Sequence, residues 1–319
     1  MADKTESYVD PNHSAPPTIV FTQSEINDYL NFLELPQYCN LSPEAPRDVK
    51  LLTALHQMQI TKVPYENLAL HYSSHHSTNL DPKFIHNKIL TQKGRGGYCM
   101  EISIFFCALL RAIGFNVYHT GVRGRNRKNG VPEGPFMEVA HIINIVTFPS
   151  GEKYGVDVAF GGDGMTKPMR LVAHEVSLNM GTQEVRYELA PIAQFASDHK
   201  LWIYQYRNQK DRPWVSFYCF AEVPYLHGDF VLMSEWVNRN SPFQVDFVLM
   251  IKFLWDGKSV YGKKMFIQDV LKQNDGGKTR VVRECRTEQE RIQLLQEEFG
   301  IELSEEEING IKGTKTELR

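Results

Sequence analysis

The sequence predicts an α+β protein in three successive parts, and three observations carry that reading. Helix-capping signals recur through the first 114 residues, the apolar period shortens towards two after Gly114, and both periods alternate beyond residue 222. The corresponding division is a flexible tail over 1–20, a helical domain over 21–115, a β-barrel domain over 116–221, and a C-terminal α/β domain or lid over 222–319. The tail rests on polarity and prolines in MADKTESYVDPNHSAPPT.

Each element has its own signal. Thr22 and Glu25 have capping-box spacing ahead of Ile26, Tyr29, Leu30 and Leu33. Ser42-Pro43 opens a second expected helix carrying Leu51, Leu52 and Leu55, and Asp81-Pro82 opens a third. A fourth places Ile102, Phe105, Phe106, Leu109, Leu110 and Ile113 on one helical pattern, with Gly114 as its stop. Expected strands are 116–122, 139–148, 153–158, 185–189, 201–206 and 214–220. A helix follows over 222–238, then strand-like runs at 244–255, 259–267 and 279–284. Residues 288–299 read as an amphipathic helix, and Ser304 with Glu307 starts a short last one.

Bulk properties narrow the functional classes. A chain of 319 residues can build a large core, and its net charge of −3 makes no electrostatic case for nucleic acid or a membrane surface. Cys39, Cys99, Cys107, Cys219 and Cys285 are scattered, odd in number and without CxxC spacing. That argues against a disulfide framework and a structural zinc site. With no secretory h-region and no apolar run long enough to span a bilayer, the expectation is a reduced, cytoplasmic protein.

Chemistry concentrates at Arg95-Gly96-Gly97-Tyr98-Cys99-Met100-Glu101. Two adjacent glycines permit a turn that a Cβ would obstruct. Cys99 then opens a helix, where unpaired N–H groups and the helix dipole favour a thiolate. A cysteine nucleophile needs a base, and the base needs a third group to hold it. His141 lies in the apolar run Val139–Val146, and Asp157 lies in Tyr154–Gly162. The intervening 147–152 contains Pro149, Ser150 and Gly151, a hairpin turn that sets His141 and Asp157 roughly opposite each other. From these residues alone, two readings stay open. Cys99 is either a nucleophile or core filler, His141 a base or a satisfied core histidine, and Asp157 its partner or a turn cap. Cys107, two turns into the same helix amid Phe105, Phe106 and Leu109, reads as packing.

The run around Cys99, with Phe105 and Gly114-Phe115 behind it, resembles the signature of arylamine N-acetyltransferases. So do Val63-Pro64-Tyr65-Glu66-Asn67-Leu68 and Val156-Asp157-Val158-Ala159-Phe160-Gly161-Gly162, and Asp229-Phe230 through Asn240-Ser241-Pro242 is similar to the family's later segment. The resemblance spans roughly residues 24 to 300. The stretch before His141 and the extended C-terminal region look most like fungal members. Ser103, Ala159 and Phe243 depart from the usual pattern, the last two in the acyl and coenzyme pocket.

The resemblance implies a papain/transglutaminase-like cysteine fold and a catalytic triad of Cys99, His141 and Asp157. It implies ping-pong transfer of an acetyl, malonyl or propionyl group from acyl-coenzyme A, a co-substrate, to an arylamine or arylhydrazine. Glu138, Phe160, Gly161 and Ser241 are the implied coenzyme and pocket contacts, with no metal. Glu66 and Arg95, both in family motifs, are expected to form an ion pair under the cysteine turn. The basic run Arg123, Arg125, Arg127, Lys128 before Asn129-Gly130 is either a solvated loop or a contact for coenzyme phosphates or an acyl carboxylate. Two other classes share parts of the pattern. One is a thiol acyltransferase or hydrolase working without coenzyme A, and the other a non-enzymatic binding protein.

Overall fold

In the computed structural model, the described residues are 20–319, so the expected tail lies outside them except for Val20. The first third is mainly helical: α1 (Gln23–Phe32), α2 (Val49–Lys62), β1 (Tyr65–Glu66), α3 (Leu68–Tyr72), α4 (Pro82–Thr91) and α5 (Cys99–Ile113). The Thr22/Glu25 capping box forms, and Asp81 caps α4 with Pro82 in its first turn. The second helix starts later than expected. Ala45 closes a turn onto Ser42 at 3.0 Å, Pro46 disfavours helical geometry just before it, and Asp48 caps Leu51 at 2.9 Å. Gly114, at φ +107°, ends α5 in the left-handed region.

The middle of the chain is one antiparallel sheet. Its strands are β2 (Asn116–Lys128), β3 (Val131–Thr147), β4 (Lys153–Val156), β5 (Met169–Arg170), β6 (Ser177–Leu178), β7 (Glu184–Pro191), β8 (Lys200–Arg207) and β9 (Val215–Phe220). They are ordered β5-β4-β3-β2-β9-β8-β7-β6, and a bridge between Ala173 and Tyr187 nearly closes the sheet into a barrel. The first hairpin is longer than the periodicity suggested. β2 and β3 run on to the Asn129-Gly130 turn, whose residues sit at φ +52° and +81°, the signature of a tight two-residue hairpin turn. Arg123, Arg125 and Arg127 therefore lie on a strand, not in a loop. β4 is shorter than expected: the ladder with β3 ends at Asn144↔Val156, and Asp157 has already left it.

The last part contributes α6 (His227–Asn240), α7 (Pro242–Val245), β10 (Leu249–Trp255), β11 (Val260–Ile267), β12 (Val270–Asn274), β13 (Thr279–Glu284), α8 (Glu288–Phe299) and α9 (Glu305–Gly310). Two boundaries differ from the sequence reading. Residues 222–226 are not helical, since α6 begins where the Asp229 carboxylate accepts the Leu226 N–H at 2.8 Å. Gln244 and Val245, expected to open a strand, lie in the helical turn that Pro242 starts, so β10 begins only at Leu249. The second sheet, ordered β1-β10-β11-β12-β13, returns to the N-terminal half through β1. One buried core joins α1, α2, α4 and α5 to Val117, Ile142, Val146 and Val156 of the barrel, and to Phe230, Phe253 and Val260. No helix among the described residues is long and apolar enough to cross a membrane.

Candidate active site

Cys99 is the first residue of α5, delivered by a turn that two glycines make possible. A Cβ on Gly96 would fall on the Pro64 carbonyl oxygen, and one on Gly97 would lie 2.7 Å from the Glu101 carboxylate. The requirement is close approach rather than unusual torsion. The turn is sewn to β1 by Glu66 N–H to the Gly97 carbonyl at 2.9 Å. Beneath it lies a buried ionic cluster. Glu66 meets Arg95 Nε and Lys88 Nζ, each at 3.2 Å, and accepts the Gly96 N–H at 3.3 Å. Arg95 continues to Glu307 of α9 at 2.6 Å. The expected Glu66–Arg95 pair is present, within a larger network whose other members come from α4 and α9.

Glu101 holds the turn from the helix side. Its carboxylate accepts N–H bonds from Tyr98 at 3.1 Å and Asn79 at 3.3 Å. Burial pushes its pKa up, against the pull of Lys88. The Tyr98 hydroxyl reaches Ser234 of α6 at 2.5 Å, fixing the residue before Cys99 to the C-terminal part.

His141 and Asp157 meet on the other wall. His141 Nε2 lies 2.8 Å from Asp157 Oδ2, with the aspartate side chain fully buried. Extending the β3–β4 register would set His141 opposite Ala159, so the pair is diagonal. The chain's departure from the strand after Val156 turns Asp157 inward, and its second oxygen takes the Ala159 N–H at 3.2 Å. Burial disfavours the charged imidazole, but the Asp157 carboxylate outweighs it, Cys99 within hydrogen-bonding reach adds to it, and the pKa rises to about 10. At neutral pH His141 is thus an imidazolium. Since Nε2 is committed to Asp157, Nδ1 is the nitrogen left for the thiol.

The remaining expected contacts spread around this centre. Phe160 packs edge-on against His141 with centroids 5.0 Å apart, and against Phe217 and Tyr218. Gly161 stands at φ +100°, a conformation that disfavours other residues, and faces Ile251 of β10. Ser241 joins α6 to α7 and accepts the Gln244 N–H at its carbonyl. Glu138 is exposed on β3, three residues before His141. Arg125 bonds the Gly134 and Ser216 carbonyls, and Arg127 pairs with Asp163 at 2.5 Å over the Phe217 ring. Both have intramolecular partners. Asp163, Lys263, Tyr218 and the Tyr65–Gln244 contact escaped the sequence reading because they converge from separate segments. Tyr65 alone stood inside a recognised motif. The five cysteines are free, and among the described residues no cluster of three His, Cys, Asp or Glu could hold a metal ion.

A cysteine at a helix N-terminus, faced by a buried histidine–aspartate pair from an antiparallel barrel, defines a papain-like cysteine fold. A family model described as N-acetyltransferase matches residues 48–308. The N-malonyltransferase FDB2 of Fusarium pseudograminearum is 30% identical over 91% of this chain and 92% of its own. The protein of the same name from Gibberella moniliformis is 31% identical over 96% and 95%. Among solved structures, arylamine N-acetyltransferase from Salmonella typhimurium superposes with a TM-score of 0.71 at 27% identity, covering 90% of this chain and 97% of its own. That from Nocardia farcinica shares the fold at a TM-score of 0.75 and 21% identity, covering 94% and 99%. The chain belongs to the arylamine N-acetyltransferase family and is an acyltransferase. The family uses acyl-coenzyme A as co-substrate, and the Mycobacterium marinum enzyme has been solved with CoA.

Proposed function

We propose that this protein transfers an acyl group from acyl-coenzyme A to the nitrogen of an arylamine or arylhydrazine through an acyl-Cys99 intermediate. The observation that carries the reading is the buried His141–Asp157 bond beside Cys99, which keeps the imidazole protonated at neutral pH. An imidazolium beside the sulfur favours a thiolate, the form that attacks a thioester. Attack on the donor carbonyl expels the coenzyme thiolate, which takes the His141 proton and leaves as the thiol. The neutral imidazole then accepts a proton from the attacking amine as Cys99 is released, and the thiolate–imidazolium pair is restored. Asp157 stabilises each imidazolium without itself taking a proton.

The Cys99 N–H, at the first position of α5 and so without an intrahelical acceptor, supports the reading as an oxyanion donor. The Tyr98 N–H is already bonded to Glu101. Similarity to N-malonyltransferases over more than nine-tenths of the chain supports malonyl-coenzyme A as a donor alongside the acetyl and propionyl thioesters.

The test is mass spectrometry of the Cys99 peptide after incubation with acetyl-, malonyl- or propionyl-coenzyme A, followed by addition of an arylamine. The expected result is an acyl mass on Cys99 that the amine discharges, and none in Cys99→Ala. A chain that transfers acyl groups with Cys99 unmodified, or that modifies Cys99 with no donor, would overturn the mechanism.

A further inference from the structure

Between β4 and β5 the chain leaves the barrel strands and carries Phe160 back over His141. Three of the seven residues 158–164 are glycines, so the backbone alone holds this stretch loosely. Its ends are fixed. Asp157 meets His141, and the Met165 carbonyl accepts the His56 Nε2 hydrogen of α2 at 3.1 Å.

The one charged residue of the stretch, Asp163, is held by four groups from elsewhere in the chain. Its Oδ2 meets Arg127 Nη2, near the tip of the β2–β3 arm, at 2.5 Å, and its Oδ1 meets Lys263 Nζ of β11 at 3.1 Å. Gln183 Nε2 donates to Oδ1 at 3.2 Å, and the Tyr204 hydroxyl of β8 donates to the Asp163 carbonyl at 2.9 Å. Lys263, itself buried, also bonds the Gly162 carbonyl. Burial would raise the Asp163 pKa, but Lys263 and Arg127 outweigh it and hold the carboxyl well below the usual carboxylate range.

Phe160, three residues before Asp163, carries this clamp to the site. Its ring lies edge-on to His141 and is backed by Phe217 at 4.4 Å and Tyr218 at 4.7 Å between centroids. The Arg127 guanidinium lies over the Phe217 ring at 4.3 Å. Arg127 therefore holds Phe160 twice, along the loop through Asp163 and across the rings through Phe217. The imidazole that Phe160 covers is the base on which either an amine or water must act. With water, a bond forms from its oxygen to the acyl carbon as His141 takes its proton. The carbon–sulfur bond breaks, Cys99 leaves as the thiolate, and the acyl group is lost as the free acid.

We infer that Asp163, clamped by Arg127 and Lys263, is a positioning residue that keeps Phe160 over His141 and so directs the acyl group of Cys99 to amines rather than to water. The inference rests on the acyl-Cys99 reading. Losing one charge-assisted hydrogen bond from the clamp makes an open loop about tenfold more populated, and hydrolysis through that form rises with it.

The experiment charges Cys99 with acetyl- or malonyl-coenzyme A in wild type, Asp163→Asn, Arg127→Met and Arg207→Met. After excess donor is removed, loss of the acyl mass from the Cys99 peptide is followed by mass spectrometry with and without aniline. Without amine, the acyl group should be lost about tenfold faster in Asp163→Asn and somewhat less so in Arg127→Met. Decay with amine should change less, so the ratio of transfer to hydrolysis falls. Arg207→Met breaks a comparably buried pair with Glu184 on β7 and should keep the wild-type ratio, which separates positioning from lost stability. An unchanged Asp163→Asn ratio, or an equal fall in Arg207→Met, overturns the inference. Should Asp163→Asn fail to fold, an unchanged Arg127→Met ratio overturns it instead. A wild-type protein that never forms acyl-Cys99 defeats the acyl-enzyme reading and this inference with it, an outcome distinct from an unchanged ratio.

Discussion

Replacing Glu66 with glutamine tests how the Cys99 turn is held. The side chain is 0% exposed and takes four donors: the Leu68 N–H at 2.7 Å, the Gly96 N–H at 3.3 Å, and Arg95 and Lys88 at 3.2 Å each. Burial alone would raise its pKa, but Arg95 and Lys88 outweigh it and bring it from 4.5 to about 2. At about 1.4 kcal/mol per pH unit, the ionised carboxylate contributes on the order of 3 kcal/mol at neutral pH. Removing one member of a buried ion pair costs about 3–5 kcal/mol by mutational precedent, and the two figures agree. With an unfolding entropy near 0.7 kcal/mol per kelvin for a chain of this length, the melting temperature should fall by about 5 °C.

The pH dependence fixes the sign. A depressed carboxylate pKa contributes stability that is present above the unfolded value near 4.5 and is lost as pH falls towards 2. The gap between wild type and Glu66→Gln should therefore be full at pH 7 and shrink steadily below pH 4.5. The assay is thermal and urea unfolding followed by intrinsic fluorescence. Glu34→Gln serves as control, because its pair with Lys62 is exposed and worth about 0.5 kcal/mol. A Glu66→Gln midpoint matching that of Glu34→Gln, or a gap that widens in acid, would refute the reasoning.

Three further substitutions probe the site. Asp157→Asn removes the charge that holds His141 near 10, so burial takes over and the imidazole should titrate below 6.5. Histidine NMR reads this directly, and Cys99 alkylation at pH 7 should slow by about a hundredfold or more. Gly96→Ala drives a methyl into the Pro64 carbonyl and should cost about 2 kcal/mol or more, seen as a lowered urea midpoint together with lost Cys99 acylation. Cys107→Ala should leave Cys99 labelling unchanged, since burial pushes the Cys107 thiol up to about 12, and peptide mapping after brief alkylation at pH 7 checks it.

Local chemistry explains which parts were legible. Cys99, His141 and Asp157 could be read because a Gly-Gly turn and a short hairpin bring residues near in sequence into near-facing positions. The Glu66–Arg95 pair was legible through its motifs alone. Helix starts were readable where a capping side chain preceded an apolar pattern, as at Thr22 and Asp81. They failed at Ser42, where Pro46 and a better cap at Asp48 shift the start by several residues. The long β2–β3 arm escaped because its outer half alternates basic residues with glycine and asparagine; beside the ladder itself, Phe136, Phe195 and Phe217 from separate segments stack on Arg125, Arg123 and Arg127.

By itself the sequence determined that a thiol opens a helix after a glycine turn, that a histidine and an aspartate occupy one hairpin, and which family the motifs resemble. Those properties depend on residue type and short spacing. Only the tertiary structure decided that Asp157 swings out of the strand to meet His141 diagonally. It also decided that Lys88 and Glu307 complete the cluster under Cys99, and that Gln244, 179 residues away, bonds to Tyr65. Such contacts join helices and strands far apart in the chain, brought together by the packing of the folded core, and linear spacing carries no record of it.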